Sequence, residues 1–178
     1  MIKILTVISN LFRLILKFDK TRKPMTYYRQ ETKFTCGPAS MRNALLSLGY
    51  VFSERRLREI AGSDSKHGTT ERKIRKTLRL LGFKSKDFHN KTESAFKQRV
   101  TYNLKKGNKL IILTDHEDHW ISVVDYGNRH ITVIDPERKR IKIRLTPKEL
   151  SKWCLNFNKR TRGTYYYGII ILKPETIN

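Results

Sequence analysis

Cys36 stands at a position that favours a reactive thiolate. It lies in the run FTCGPA, residues 34–39, immediately before the first predicted helix of the domain. Amide groups and the positive dipole end at a helix start stabilise a thiolate, which is the nucleophilic form of cysteine. The commoner alternative for a single cysteine is a small buried residue. Cys154 illustrates that alternative, because it lies on an apolar stripe with Leu150 and Phe157 and is predicted to be structural.

The two residues after Cys36 agree with a nucleophile at this position. Gly37 leaves room for a substrate close to the sulfur. Pro38 suits the first turn of a helix, where a backbone N–H is dispensable.

A histidine held by an acid is the expected base for Cys36. His119 opens one predicted strand and Asp135 closes the next. A pairing that sets Val123 opposite Ile131 also sets His119 opposite Asp135, and directly opposed side chains have Cβ atoms about 5 Å apart. Because a slip of one residue reverses every side chain, this pairing requires a loop over residues 126–128 or a bulge. The alternative is an ordinary hairpin with a polar residue at each end.

His119 also ends a run of potential metal ligands, DHEDH at residues 115–119. Consecutive side chains point in different directions, and no second cluster of Cys or His supplies the remaining ligands. His67, His89 and His130 lie in polar or turn contexts and are predicted to be solvated. We therefore predict neither a metal nor a cofactor.

Helices in the first half of the chain and strands in the second are predicted to position these residues. Apolar residues recur at helical spacing in segments that end at Gly49, Gly62, Gly82 and Gly107. The later pattern is that of strands, at residues 110–113, 121–124, 131–134, 141–145 and 165–172. A capping box at residues 146–149 opens one more helix. Helices followed by an antiparallel sheet predict an α+β fold.

Length and composition predict one globular domain with a strongly basic surface. The chain has 178 residues, of which 38% are hydrophobic, and its 5 prolines and 9 glycines are too few for a fibrous or low-complexity protein. The 38 Lys and Arg residues outnumber the 16 Asp and Glu residues, so that the net charge is +22. This excess predicts an anionic partner, and nucleic acid, an acidic membrane surface and an acidic protein all remain open.

The first 23 residues predict a basic amphipathic helix and a linker, with the main domain at residues 24–178. The apolar side consists of Ile4, Leu5, Ile8, Leu11, Phe12 and Ile15. Such a helix lies on an anionic membrane or packs on its own domain or on a second copy. No apolar run approaches the ~20 residues that cross a bilayer. Two cysteines are too few for a secreted disulfide framework, so a cytoplasmic location is expected, peripheral at the membrane face if this helix binds lipid.

Four motifs together resemble the bacteriocin-processing, double-glycine-type cysteine peptidases of the papain-like clan. They are QETKFTCGPA at residues 30–39, GTT at 68–70 with LGF at 81–83, HW at 119–120, and IDP at 134–136. They occur in the family's order, and the resemblance runs from about residue 28 to residue 172. It implies a papain-like fold, with the helical first half packed on an antiparallel sheet.

The resemblance implies a role for each matching residue. Cys36 would attack a peptide carbonyl, His119 would act as base and then as acid, Asp135 would orient His119, and Gln30 would help to form the oxyanion hole. The substrate would be a polypeptide, cleaved after a small residue or Gly-Gly. Thr35 departs from the acidic residue that commonly precedes the cysteine in this family. The chain also lacks the phosphate-binding loop of exporters that carry such a domain, so a freestanding peptidase is expected.

Two other functions remain open from the sequence. The same acyl-enzyme could pass its acyl group to another acceptor or release ammonia, as in a transferase or a deamidase. A basic module for nucleic acid or anionic membrane, with a vestigial site, is the alternative from a different class. Its binding would collapse with added salt and would be indifferent to Cys36→Ala. The oligomeric state is open as well.

Overall fold

The structure is a computed structural model, and it describes residues 26–114, 119–158 and 161–174. The predicted N-terminal helix, residues 1–23, lies outside these ranges. Its binding to a membrane, a partner or its own domain therefore stays a prediction, as does the domain division at residue 24. Within the described ranges, no helix combines the length and the apolar character needed to cross a membrane.

The helices predicted within the described ranges are confirmed, and local capping explains where they begin and end. They are α1 (Cys36–Leu46), α2 (Glu54–Ala61), α3 (Glu71–Leu80), α4 (Glu93–Lys105) and α5 (Pro147–Trp153). Ser53, Thr70 and Thr92 each accept a hydrogen bond from an amide in the first turn of α2, α3 and α4. The predicted capping box of α5 is present. However, α5 ends at Trp153, so Phe157 is not on its apolar stripe; it is 42% exposed instead.

The strands form one antiparallel sheet, and this arrangement confirms the α+β fold. They are β1 (Ser85–Asn90), β2 (Lys109–Thr114), β3 (His119–Gly127), β4 (His130–Ile134), β5 (Lys142–Leu145), β6 (Asn156–Asn158) and β7 (Gly163–Ile171). Their spatial order is β1-β7-β2-β3-β4-β5, and β6 pairs with the start of β7. The strands β1 and β6 were not predicted from the sequence. Only Phe88 is buried in β1, so that strand has no apolar alternation to reveal it.

The sheet is covered on both faces, which explains the continuous apolar run in β2. Ile111 and Leu113 belong to one apolar cluster with residues of α1, α2 and α3. Leu110 and Ile112 belong to a second cluster with residues of α4 and α5. Cys154 is fully buried in the second cluster, in agreement with its predicted structural role. The helices α1, α2 and α3 therefore pack on one face of the sheet, and α4 and α5 pack on the other.

The turn between β3 and β4 differs from the prediction. Its central residues are Asn128 and Arg129, with φ angles of 52° and 64°, rather than residues 126–128. These angles are typical of a tight two-residue hairpin turn, which suits the right-handed twist of the strands. Gly127 pairs with His130 directly across the turn.

A bulge then corrects the orientation of the strand that carries His119. The register shifts between Val123 and Asp125, so that Val123 pairs with Val133 instead of Ile131. A two-residue turn alone would put His119 and the position of Asp135 on opposite faces of the hairpin, and one extra residue reverses that outcome. The predicted pairing was therefore wrong by two residues, although the predicted common face was right and the bulge that was the stated alternative to the longer loop is present.

Candidate active site

Two buried serines fix the helix of Cys36 against the strand of His119. The Ser40 hydroxyl in α1 donates to the Trp120 carbonyl in β3 at 2.8 Å. The Ser122 hydroxyl in β3 donates to the Ser40 carbonyl at 2.8 Å. Because both hydrogen bonds are buried, breaking either one would leave a buried polar group without a hydrogen-bond partner. They hold the first turn of α1 beside the start of β3.

Cys36 is the first residue of α1 and is 7% exposed. Thr35 precedes it, but its side chain forms no capping hydrogen bond to the helix. The Thr35 hydroxyl instead donates to the Thr32 carbonyl at 3.0 Å. The predicted location of Cys36 at a helix start is therefore confirmed.

His119 contacts both Asp135 and Cys36. Its Nε2 lies 2.8 Å from Oδ1 of Asp135, and both side chains are buried. The imidazole also forms a hydrogen bond with the Cys36 thiol, and Oε2 of Glu137 lies 3.8 Å from its other ring nitrogen, Nδ1. Burial alone would lower the pKa of His119, but the hydrogen bonds with Asp135 and Cys36 outweigh burial and raise the pKa to about 10. The imidazole is consequently held as a cation beside the sulfur at neutral pH.

Asp135 is held by donors besides His119. Its Oδ1 accepts from the Glu137 amide at 3.0 Å, and its Oδ2 accepts from Nε of Arg138 at 3.0 Å. Burial raises the pKa of Asp135, but the hydrogen bonds from His119 and Glu137 and the charges of His119 and Arg138 bring it below its ordinary value. The guanidinium of Arg138 also lies 4.4 Å from the ring centroid of Trp153. Asp135 is therefore a fixed, ionised acceptor for the imidazole.

Gln30 lies on the loop that leads to Cys36. The backbone N–H of Gln30 donates to the Pro136 carbonyl at 2.9 Å, and this bond connects the loop to the residues after Asp135. Its Nε2 donates to the Thr32 carbonyl at 3.0 Å, so that one N–H of the carboxamide is used and a second remains. Oε1 is buried and has no hydrogen-bond partner in the described part of the chain.

A buried acid, Glu54, accepts a hydrogen bond from the same loop. Glu54, in the first turn of α2, is fully buried, and its Oε1 accepts from the Glu31 amide at 2.9 Å. Burial raises the pKa of Glu54, against the effect of its hydrogen bonds with Thr35 and Glu31. Nothing in the sequence around Glu54 predicts this role, since an acid in the first turn of a helix is ordinarily exposed and stabilises the dipole.

Residues 24–154 match the sequence pattern of the peptidase C39 family, a range that contains Gln30, Cys36, His119 and Asp135. The chain belongs to the peptidase C39 family. It is accordingly a papain-like cysteine peptidase. A protein of Methanothermobacter marburgensis that is described as uncharacterised is 29% identical over 116 residues, covering 65% of this chain and 75% of that protein.

Solved structures of C39 peptidases share the fold. The peptidase domain of Streptococcus ComA, a bifunctional ABC transporter of a quorum-sensing pathway, is 18% identical, covers 85% of this chain and 100% of its own, and has a TM-score of 0.64. A double-glycine-motif protease from an AMS/PCAT transporter, solved with the leader peptide, is 16% identical with a TM-score of 0.56, covering 83% and 95%. A C39-like peptidase of Bacillus anthracis is 11% identical with a TM-score of 0.54, covering 85% and 96%. The predicted papain-like fold is confirmed.

In this C39 peptidase, Gly37 makes room for a neighbouring loop. A Cβ atom at Gly37 would lie 2.5 Å from Cβ of Thr69. Thr69 is buried, and its carbonyl accepts from Nε1 of Trp120 at 2.8 Å. The prediction that Gly37 leaves space for substrate therefore needs correction, since Thr69 occupies the space beside it.

Replacing Gly37 with alanine is expected to destabilise the peptidase by about 1 to 3 kcal/mol, because the Cβ of Thr69 is too close to its backbone to move freely. Alanine favours a helix over glycine, so a loss of stability here would report the steric contact. Urea unfolding measures the change, and Gly127→Ala is the control, since a Cβ there meets no atom within 4 Å. Equal stability of the Gly37→Ala protein and its parent would contradict this contact.

The three other histidines in the described ranges do not join the site. His67 contacts Asp64 at 3.1 Å, His89 stacks on Tyr165 at 4.8 Å, and His130 contacts the Asn128 carbonyl at 2.8 Å. Residues 115–118 of the acidic run lie outside the described ranges. Within those ranges, no group of three or more His, Cys, Asp or Glu side chains is arranged to hold a metal.

Proposed function

We propose that this C39 peptidase hydrolyses a polypeptide through Cys36, His119 and Asp135. The observation that carries the proposal is the chain of contacts from Asp135 to Nε2 of His119, and from the imidazole to the Cys36 thiol. A nucleophile, a base and an orienting acid in sequence are the requirement for acyl transfer by cysteine. All three groups are nearly buried, which strengthens their electrostatic interactions.

The proposed reaction proceeds through an acyl-enzyme. The Cys36 thiolate attacks the carbonyl carbon, and the developing oxyanion accepts hydrogen bonds from the Cys36 amide and the free N–H of Gln30. His119 gives its proton to the departing amine as the C–N bond breaks. A water molecule then loses a proton to His119 and attacks the thioester, which releases the acid and restores the thiolate.

We propose cleavage after a small residue, with Gly-Gly as the first sequence to test. A fold relative of this chain was solved as a double-glycine-motif protease with a leader peptide, which supports a polypeptide substrate. The resemblance of residues 30–39 to double-glycine peptidases supports the same choice. A fluorescence-quenched peptide with a central Gly-Gly is the probe used below.

Selective alkylation of Cys36 tests the proposal without any substrate. Cys36 is expected to react with iodoacetamide near neutral pH at least tenfold faster than Cys154, because Cys36 has a cationic imidazole beside it and Cys154 is fully buried. Peptide mapping by mass spectrometry assigns the modified residue, and the urea-unfolded chain, in which both react, is the control. Equal or reversed labelling would reject the proposal.

The mass of a peptide after incubation with the protein distinguishes hydrolysis from deamidation or acyl transfer.

The charge on His119 predicts a pH effect on alkylation. Anionic iodoacetate should be favoured over neutral iodoacetamide while the imidazole is protonated, and the ratio of the two rates should fall about tenfold as the pH rises through about 10. The same raised pKa contributes stability that is fully present below about pH 6.5 and is lost as the pH passes through about 10. Glutathione is the control thiol. A fall in the ratio centred near pH 6.5 would contradict the raised pKa.

A further inference from the structure

We propose that a basic surface beside the catalytic centre binds an acidic segment of the polypeptide substrate. This surface is formed by Arg138, Lys139, Arg140, Lys142 and Ile143, and is called the 138–143 surface below. Its assignment to substrate binding rests on the proposed peptidase function. It adds a specificity-determining site at a distance from the bond that is cleaved.

The 138–143 surface is attached to the catalytic centre at several points. The Asp135 amide donates to the Ile141 carbonyl at 2.9 Å, which closes the loop that carries the cations. Arg138 bonds Asp135, and the Gln30 amide bonds the Pro136 carbonyl at the start of the same loop. The loop that carries these cations is therefore anchored to Asp135 and to the backbone of Gln30.

Arg138 pairs with Asp135, but the other three cations of this surface have no ion-pair partner in the part of the chain that the structure describes. Lys139, Arg140 and Lys142 are exposed, and no ion pair joins them to an acidic side chain there. The nearby Glu137 instead faces the imidazole, with its Oε2 3.8 Å from Nδ1 of His119. Unpaired like charges in a short loop repel one another, and an anionic ligand relieves that repulsion.

The shape of the surface suits a peptide. Arg138, Lys139, Arg140 and Ile143 line an open cavity of about 440 Å³. Ile143 is half-buried and provides an apolar floor between the cationic walls. Such a cavity has room for a few side chains, and an acidic residue next to an aliphatic one matches its chemistry.

The same geometry favours a peptide over a nucleic acid. Binding of single strands relies on aromatic platforms on which bases stack. Trp153 contacts this surface, but the guanidinium of Arg138 already covers its ring, at 4.4 Å from the ring centroid. In addition, an acidic segment in the substrate is tethered to the cleavage site, so that binding raises the local concentration of the scissile bond.

The test compares two fluorescent peptides on the full chain. One contains a run of glutamates and the other has glutamine at the same positions, and fluorescence anisotropy measures each affinity at low and high salt. The variant is Lys139→Glu with Arg140→Glu, since Arg138 contacts Asp135 and is left unchanged. The matched control is Arg72→Glu with Lys76→Glu on α3, which makes the same charge change at two exposed residues. The alkylation rate of Cys36 shows whether each variant retains an intact active site.

We expect the glutamate peptide to bind about tenfold more tightly than the glutamine peptide at low salt. The Lys139→Glu, Arg140→Glu variant should lose about tenfold in that affinity, and the α3 control less than about twofold. Equal losses in both variants would overturn the proposal, because they would assign binding to the overall charge. It would also be overturned if an oligonucleotide of matched charge bound more tightly than the peptide and lost that affinity in the same variant.

Cleavage separates this proposal from the proposed function. Attached to the Gly-Gly probe, the glutamate run should lower KM about tenfold relative to the glutamine run and leave kcat unchanged, and the 139/140 variant should remove the difference. Equal KM values for both probes would overturn the acidic-segment proposal while the peptidase stands. An unreactive Cys36 in a chain that still binds the glutamate peptide would overturn the peptidase assignment instead.

Discussion

Cleavage of the Gly-Gly probe is expected to fall about 10⁶-fold, to the background rate, when Cys36 is replaced by alanine. No other group in the site can form the thioester, because His119 and Asp135 hold and transfer protons without attacking the carbonyl. Stability should change little, since the sulfur contributes a small buried area at 7% exposure. Initial rates of the quenched peptide and urea unfolding measure the two effects.

Cys154→Ala is the matched control for this prediction. Cys154 is fully buried in the apolar cluster that contains Leu150, so its loss should cost about 1 kcal/mol of stability and leave the cleavage rate intact. A Cys36→Ala protein that cleaves the probe as fast as its parent would exclude Cys36 as the nucleophile. A Cys154→Ala protein that folds but does not cleave would point to the wrong cysteine.

Replacing Asp135 by alanine is expected to reduce both activity and stability. The change removes the acceptor for Nε2 of His119, so the ring is no longer held towards Cys36, and kcat should fall about 10⁴-fold. It also leaves the buried imidazole without its partner, which should lower the free energy of unfolding by about 3 to 5 kcal/mol. Asp135→Asn should be milder in stability because one acceptor oxygen remains for His119.

Steady-state kinetics and urea unfolding together test the role of Asp135. The control is Asp87→Ala, since Asp87 forms an exposed ion pair with Arg75 at 3.2 Å and such pairs contribute at most about 1 kcal/mol. The iodoacetate preference of Cys36 should also decline in the Asp135→Ala protein near neutral pH, because His119 loses the group that keeps it charged. An Asp135→Ala protein with parental kcat would refute the orienting role.

Local features of the chain predicted most of the elements. Ser53, Thr70 and the capping box at residues 146–149 mark helix starts by hydrogen bonds within a single turn, so a short window of sequence contains them. The strand β1 escaped prediction because its side chains are mainly polar and it pairs with β7, far away in sequence. The extent of α5 was overestimated for a related reason, since Phe157 continues the helical spacing although it lies in β6.

The residues that pack around the site could not be predicted from the sequence, for a physical reason. Glu54 is buried because α2 packs under the loop of residues 30–36, and nothing in the residues around Glu54 reports that packing. Thr69 fills the space beside Gly37 in the same way. Both contacts join segments that are distant in the chain, and short windows carry no information on such pairs.

The residue order was enough to predict that a cysteine opens a helix and that a histidine and an aspartate flank a hairpin. Helix starts and strand alternation depend on neighbours within a few residues, so the local sequence around Cys36, His119 and Asp135 predicts them. The relative placement of the three side chains depends on long-range packing instead. The bulge after Val123 sets the face of His119, and the bonds of Ser40 with β3 bring in the thiol. Both depend on how distant segments pack, which local preferences do not specify.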